Sequence, residues 1–133
     1  VSRGIGSCVV VCLYHKVKKI GSLSHIMLPV YLGGGDSQLN PLRFADTALG
    51  IVIDEFIKRG IVKEELEARL IGGAQMFKSF GEENDIGAKN IEQIQRILKV
   101  MGIAILSEET RGNVGRSVEF DLETGIVKVL TVM

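Results

Sequence analysis

Apolar and polar positions divide the chain into a regular series of elements. Val9 to Tyr14 is an unbroken apolar run rich in β-branched residues, and Ile20 to Leu28 is nearly another. Polar His15-Lys16-Val17-Lys18-Lys19 lies between them, which predicts a β-hairpin. Asn40-Pro41 is an N-cap followed by a first-turn proline. Leu42, Ala45, Leu49, Val52, Ile53, Phe56 and Ile57 then recur at helical spacing, predicting a helix that closes at Gly60. Lys63 to Ala68 reads as a charged connector with room for one helical turn. Arg69 to Phe77 reads as a strand in which Gly72 and Gly73 mark a bulge or a close backbone approach. After a polar loop over Lys78 to Asp85, Ile91, Ile94, Leu98 and Met101 predict a second helix ending at Gly102. Ile103 to Leu106 forms a short strand and Arg111 to Arg116 a turn-rich loop. Val118, Phe120 and Leu122 alternate with acidic residues, and Glu123-Thr124-Gly125 turns the chain into a closing strand, Ile126 to Val132. The order ββαβαβββ predicts an α+β domain with a mixed sheet and two main helices, not a doubly wound one.

Composition narrows this picture. With 133 residues, 46% hydrophobic and 24% charged, the chain is expected to form a single domain over 1–133 with a real core. Val1 in place of an initiator methionine suggests that a short N-terminal segment is missing. Sixteen basic residues balance sixteen acidic ones and aromatics are 5%, so no electrostatic footprint or stacking platform for nucleic acid is present. No apolar run approaches the roughly 18 residues of a membrane span. No signal-peptide pattern appears. Cys8 and Cys12 stand four residues apart in one expected strand, about 13 Å along it, beyond disulfide reach. Reduced thiols and a cytoplasmic location are therefore expected.

Few motifs carry chemistry. Two histidines and two cysteines without C-x-x-C, H-E-x-x-H or H-x-H spacing make structural zinc improbable. Gly4-x-Gly6 lacks the third glycine of the dinucleotide fingerprint and precedes a strand. Gly33-Gly34-Gly35 has no following Lys-Ser/Thr for a P-loop and reads as a surface connection or the cover of a site. No cofactor is expected. Cys12, among valines, reads as packing, and His15, in a lysine-rich turn, as surface. Cys8 differs, because Gly4-Ile5-Gly6-Ser7 brings it to the start of a strand. If the hairpin loop is centred on Lys16-Val17, Tyr14 faces Lys19, Cys12 faces Gly21 and Cys8 faces His25. Facing residues have Cβ atoms about 4.5 to 5.5 Å apart, so an imidazole would reach the thiol and hold it partly as thiolate. An asymmetric loop would offset the pair, and His25 would then be a core histidine between Leu23 and Met27. Ser2 is a candidate hydroxyl to orient the imidazole.

Five ordered elements carry a resemblance: Gly4-Ile5-Gly6-Ser7-Cys8, His25-Ile26-Met27-Leu28-Pro29, Gly72-Gly73-Ala74-Gln75-Met76-Phe77, Ile86-Gly87-Ala88-Lys89-Asn90 and Gly112-Asn113-Val114-Gly115-Arg116. The sequence resembles the chemoreceptor glutamine deamidase (CheD) family of chemotaxis. That resemblance implies a single-domain α/β sandwich, largely antiparallel, similar to the cysteine hydrolase domains of cytotoxic necrotizing factors. It implies Cys8 as nucleophile, His25 as general acid/base and Ser2, where the family usually has threonine, as the hydroxyl residue. Gly6 and Ser7 would form the oxyanion and substrate loop. The implied activity is deamidation of receptor glutamines through a thioester, with receptor methyl esters as further substrates and neither metal nor cofactor. The implied partners are chemoreceptor cytoplasmic helices and a CheC-type phosphatase. The reading from another class is a non-catalytic module that stimulates that phosphatase.

Overall fold

The long apolar run of β2 sets the architecture. In a computed structural model describing residues 2–5, 7–30, 40–74, 85–112 and 115–132, β2 spans Val9–His15, and all seven of its residues are buried. A strand buried on both faces has no polar alternation because both sides must be apolar. It is central in a four-stranded sheet with β3 (Ile20–Ile26), β4 (Glu67–Gly72) and β5 (Ala104–Thr110), ordered β3-β2-β4-β5. β2 is antiparallel to both neighbours, and β4 runs parallel to β5. Val9, Val11 and Leu13 pack on one side against α1 (Ala45–Lys58) and α2 (Ile86–Met101). Val10 and Cys12 pack on the other side with Val118, Phe120, Val127 and Val129. Those last residues belong to an antiparallel sheet of β1 (Ser2–Ile5), β6 (Gly115–Phe120) and β7 (Val127–Val132), ordered β1-β6-β7. The layers are thus helices, mixed sheet and antiparallel sheet, an α+β fold with two helices.

Several expectations are corrected. The order is βββαβαβββ, because the bend at Ser7 and Cys8 separates β1 from β2 and sends them into different sheets. The hairpin loop is Lys16 to Lys19, one residue later than a centre at Lys16-Val17 requires, so His25 faces Val10 and not Cys8. His15 explains the shift. It is 5% exposed, not a surface residue. Its Nδ1 accepts the Lys18 N–H at 3.1 Å while its carbonyl accepts the Lys19 N–H at 2.8 Å. Lys19 closes the turn at φ 55, in the left-handed region. Asn40 does cap Leu42 N at 3.0 Å, but over a 3₁₀ turn, Pro41–Arg43. Phe44 then takes extended backbone and α1 starts after it. β5 continues through Ser107, Glu108 and Glu109, whose polarity suits the edge of a sheet.

The remaining expectations match in part: the second helix starts earlier than its apolar spacing showed, at Ile86, and the strand before it is Glu67–Gly72. The Asp85 carboxylate caps α2 through Ala88 N, and Gly102 ends it at φ 75. The strand expected over 69–77 ends at Gly72, and 75–77 lie outside the described residues, as do Gly6 and the glycines at 33–35. The close approach expected at Gly72 and Gly73 is real: a Cβ on Gly73 would stand 2.6 Å from Ile91 Cγ1 and 3.0 Å from the Gly87 carbonyl oxygen. Among the described residues no helix is long and apolar enough to cross a membrane.

Candidate active site

Cys8 occupies the bend that enters β2, and its neighbours hold it by the backbone. Its carbonyl accepts Gly73 N–H at 2.8 Å. The preceding carbonyl, of Ser7, accepts Asn90 Nδ2 at 3.2 Å, and the same amide donates to the Met27 carbonyl at 3.0 Å. His25 lies near the end of β3, the edge strand. The hairpin pairing ends at Val9 opposite Ile26, so Cys8 stands one residue past the ladder. Moving the loop centre by one residue moves every partner by two. Side chains alternate with period 2, so His25 and Cys8 keep the same face. They are related diagonally, a separation of about 7–8 Å between backbone positions, instead of directly.

Beyond Ile26 the chain is fastened to the start of the first helical segment. Met27 and Leu28 N–H groups donate to the Arg43 carbonyl at 2.7 and 3.2 Å, and Ala45 N–H donates to the Leu28 carbonyl at 2.9 Å. This places the exposed Arg43 side chain beside the end of β3, where Nη1 reaches Met27 Sδ at 3.0 Å. Cys8, His25, Met27, Asn40, Leu42 and Arg43 line one open cleft of about 480 Å³. A larger hollow of about 680 Å³ between residues 119 and 128 is lined by charged, apolar and hydroxyl side chains but no thiol or imidazole. The smaller cleft is the one that brings a thiol and an imidazole together.

Burial dominates the electrostatics. It raises the Cys8 thiol above its ordinary value, partly offset by the Arg43 charge and by the Cys8 backbone N–H. Burial, reinforced by Arg43, lowers His25 below the ordinary imidazole value. Burial thus favours the neutral form of both the thiol and the imidazole. An imidazole in this state can accept a thiol proton during attack. Cys12 lies buried between the sheets with its thiol pushed up to about 12, as packing requires. Neither cysteine is in a disulfide. Ser2 has its backbone in β1, opposite Val118 of β6. Among the described residues no group of three or more His, Cys, Asp or Glu side chains could hold a metal ion. Sequence reasoning missed Asn90 and Arg43. Arg43 stands between apolar helix positions with nothing in its spacing to mark a cleft, and Asn90, although within one of the resemblance elements, acts on backbone carbonyls that leave no trace in a sequence.

Fold and cleft define a helix–sheet–sheet α+β protein whose one sheet edge gathers a thiol, an imidazole and a guanidinium. Residues 27–131 match the family model described as CheD chemotactic sensory transduction. The chain is 46% identical over 125 residues to a Thermotoga maritima protein named "Chemoreceptor glutamine deamidase CheD", covering 94% of this chain and 76% of that one. It is 41% identical to a Clostridium novyi protein named "Probable chemoreceptor glutamine deamidase CheD", covering 99% and 82%. A Pyrococcus horikoshii protein of the same name is 43% identical, covering 95% and 78%. The chain belongs to the CheD family.

Proposed function

We propose that this protein is a chemoreceptor glutamine deamidase in which Cys8 is the nucleophile and His25 the general base and acid. The observation that carries the reading is that both side chains line one open cleft at a sheet edge. The family and the names of its relatives support the substrate class: glutamine of chemoreceptors.

The chemistry follows from neutral starting groups. His25 accepts the thiol proton as Cys8 Sγ bonds to the side-chain amide carbon, and the carbonyl electrons move onto oxygen. The Cys8 N–H, with a donor from the Gly6-Ser7 loop, receives that oxyanion. Collapse breaks the C–N bond while the imidazolium returns its proton to nitrogen, releasing ammonia and leaving a thioester. Neutral His25 then takes a proton from water as the water oxygen attacks. The thiol leaves and glutamate remains. A methyl ester enters the same sequence with methanol as the leaving group. Ser2 is the hydroxyl that orients the imidazole. A CheC-type phosphatase, the partner that the family resemblance implies, is the second protein we propose it meets.

The test is ammonia release from a receptor cytoplasmic fragment by wild type, Cys8→Ala and His25→Ala. Release should disappear in the first variant and fall by about 10²-fold or more in the second. Undiminished release by Cys8→Ala would remove the nucleophile from the account.

A further inference from the structure

Asn90 lies on α2, 83 residues from Ser7 in sequence, and is 0% exposed. Its Nδ2 donates both to Ser7 O and to Met27 O. Two carbonyls on that side fix the amide's orientation, since Oδ1 in its place would bring three acceptors together. The Oδ1 atom is buried and accepts no hydrogen bond among the described residues. An amide left half-satisfied costs about 1–3 kcal/mol of desolvation, which makes it a poor choice for stability alone. What it does uniquely is join the residue before Cys8 to the residue two past His25.

We infer that Asn90 is a positioning residue that holds the Ser7–Cys8 peptide with its N–H facing the reacting sulfur; this rests on Cys8 being the nucleophile. No peptide bond described is cis. In a trans peptide the C=O and N–H point to opposite sides. With Ser7 O held against α2, the Cys8 N–H is directed away from α2. It lies within reach of its own Sγ, where it favours the thiolate and where an oxyanion formed at that sulfur would need a donor. The other side of Cys8 is fixed by the same helix. Cys8 O accepts Gly73 N–H, and Gly73 at φ 70 is pressed against Gly87 and Ile91 of α2. Asn90 therefore sets one flank of the nucleophile directly while Gly73 sets the other.

The experiment compares wild type with Asn90→Ala and Asn90→Ser, the serine keeping one donor, at a temperature where circular dichroism shows each folded. A merely structural role would lower Tm and leave chemistry alone. Positioning predicts that kcat falls about 100-fold in Asn90→Ala with KM changed less than about threefold. Asn90→Ser should recover part of the loss. The pH midpoint for alkylation of Cys8 should also rise in Asn90→Ala, because an N–H that favours thiolate is released. A folded Asn90→Ala with wild-type kcat and an unchanged alkylation midpoint overturns the inference, whatever its Tm. Cys8→Ala, assayed alongside, separates the two failures. If it still releases ammonia the nucleophile is wrong, and if it is inactive while Asn90→Ala is fully active only the positioning role is wrong.

Discussion

At the residue scale, two ionisable groups and one cation decide how the cleft responds to pH. His25 is held below the ordinary imidazole value, so it stays neutral to a lower pH than a free side chain. The acid limb of kcat/KM should accordingly have its midpoint below about 6.5. Arg43 disfavours the imidazolium and favours the thiolate, so its removal acts on both groups in the same direction. In Arg43→Ala the acid limb should move up in pH, and the alkylation midpoint of Cys8 should move up too. A pH–rate profile and an alkylation profile check the two halves, and opposite movements would contradict the placement of Arg43 beside both groups. That Cys8 and His25 share a face was legible in the sequence, because a hairpin preserves which face a residue takes even when its register moves by two. Arg43 was not, because only the docking of its carbonyl on Met27 and Leu28 brings it to the cleft.

At the element scale, glycines separate positions that must be bare from positions that need not be. Gly73→Ala would set a Cβ 2.6 Å from Ile91 Cγ1 at a left-handed backbone angle. Thermal unfolding should show a loss of about 1–3 kcal/mol from overpacking and strain. Gly50, exposed within α1, has nothing within 4 Å of a built Cβ. Gly50→Ala should stabilise by about 0.5–1 kcal/mol. The paired glycines at 72–73 announced a close approach in sequence, and periodicity announced both helices. The first turn of α2 was hidden because Ile86 to Asn90 carries small and polar residues at its start. β1 was hidden because a four-residue strand beside glycines reads as an approach to the next strand. The length of β5 was hidden because an edge strand tolerates the charges that otherwise signal a loop.

For the whole molecule, β2 is the shared floor of two cores, with helices below it and the antiparallel sheet above. Tyr14 links the layers: its ring stacks edge-on against Phe120 at 5.7 Å and its hydroxyl donates to the Leu122 carbonyl. Cys12 is sealed between the sheets, 1% exposed, whereas Cys8 opens onto the cleft. Alkylation under native conditions should therefore label Cys8 alone, with Cys12 reacting only as the molecule unfolds. Mass spectrometry of the peptides checks this, and prompt labelling of Cys12 would contradict the layered packing. The cleft lies at β3, the edge strand of its sheet among the described residues, which suits a substrate presented on another protein's surface. The central claim is that Cys8 converts receptor glutamine to glutamate. Its most direct measurement is mass spectrometry of a receptor cytoplasmic fragment after incubation with wild type or Cys8→Ala. The account predicts the amide-to-acid mass shift at particular glutamines with wild type and none with Cys8→Ala. The same shift produced by both proteins would contradict it.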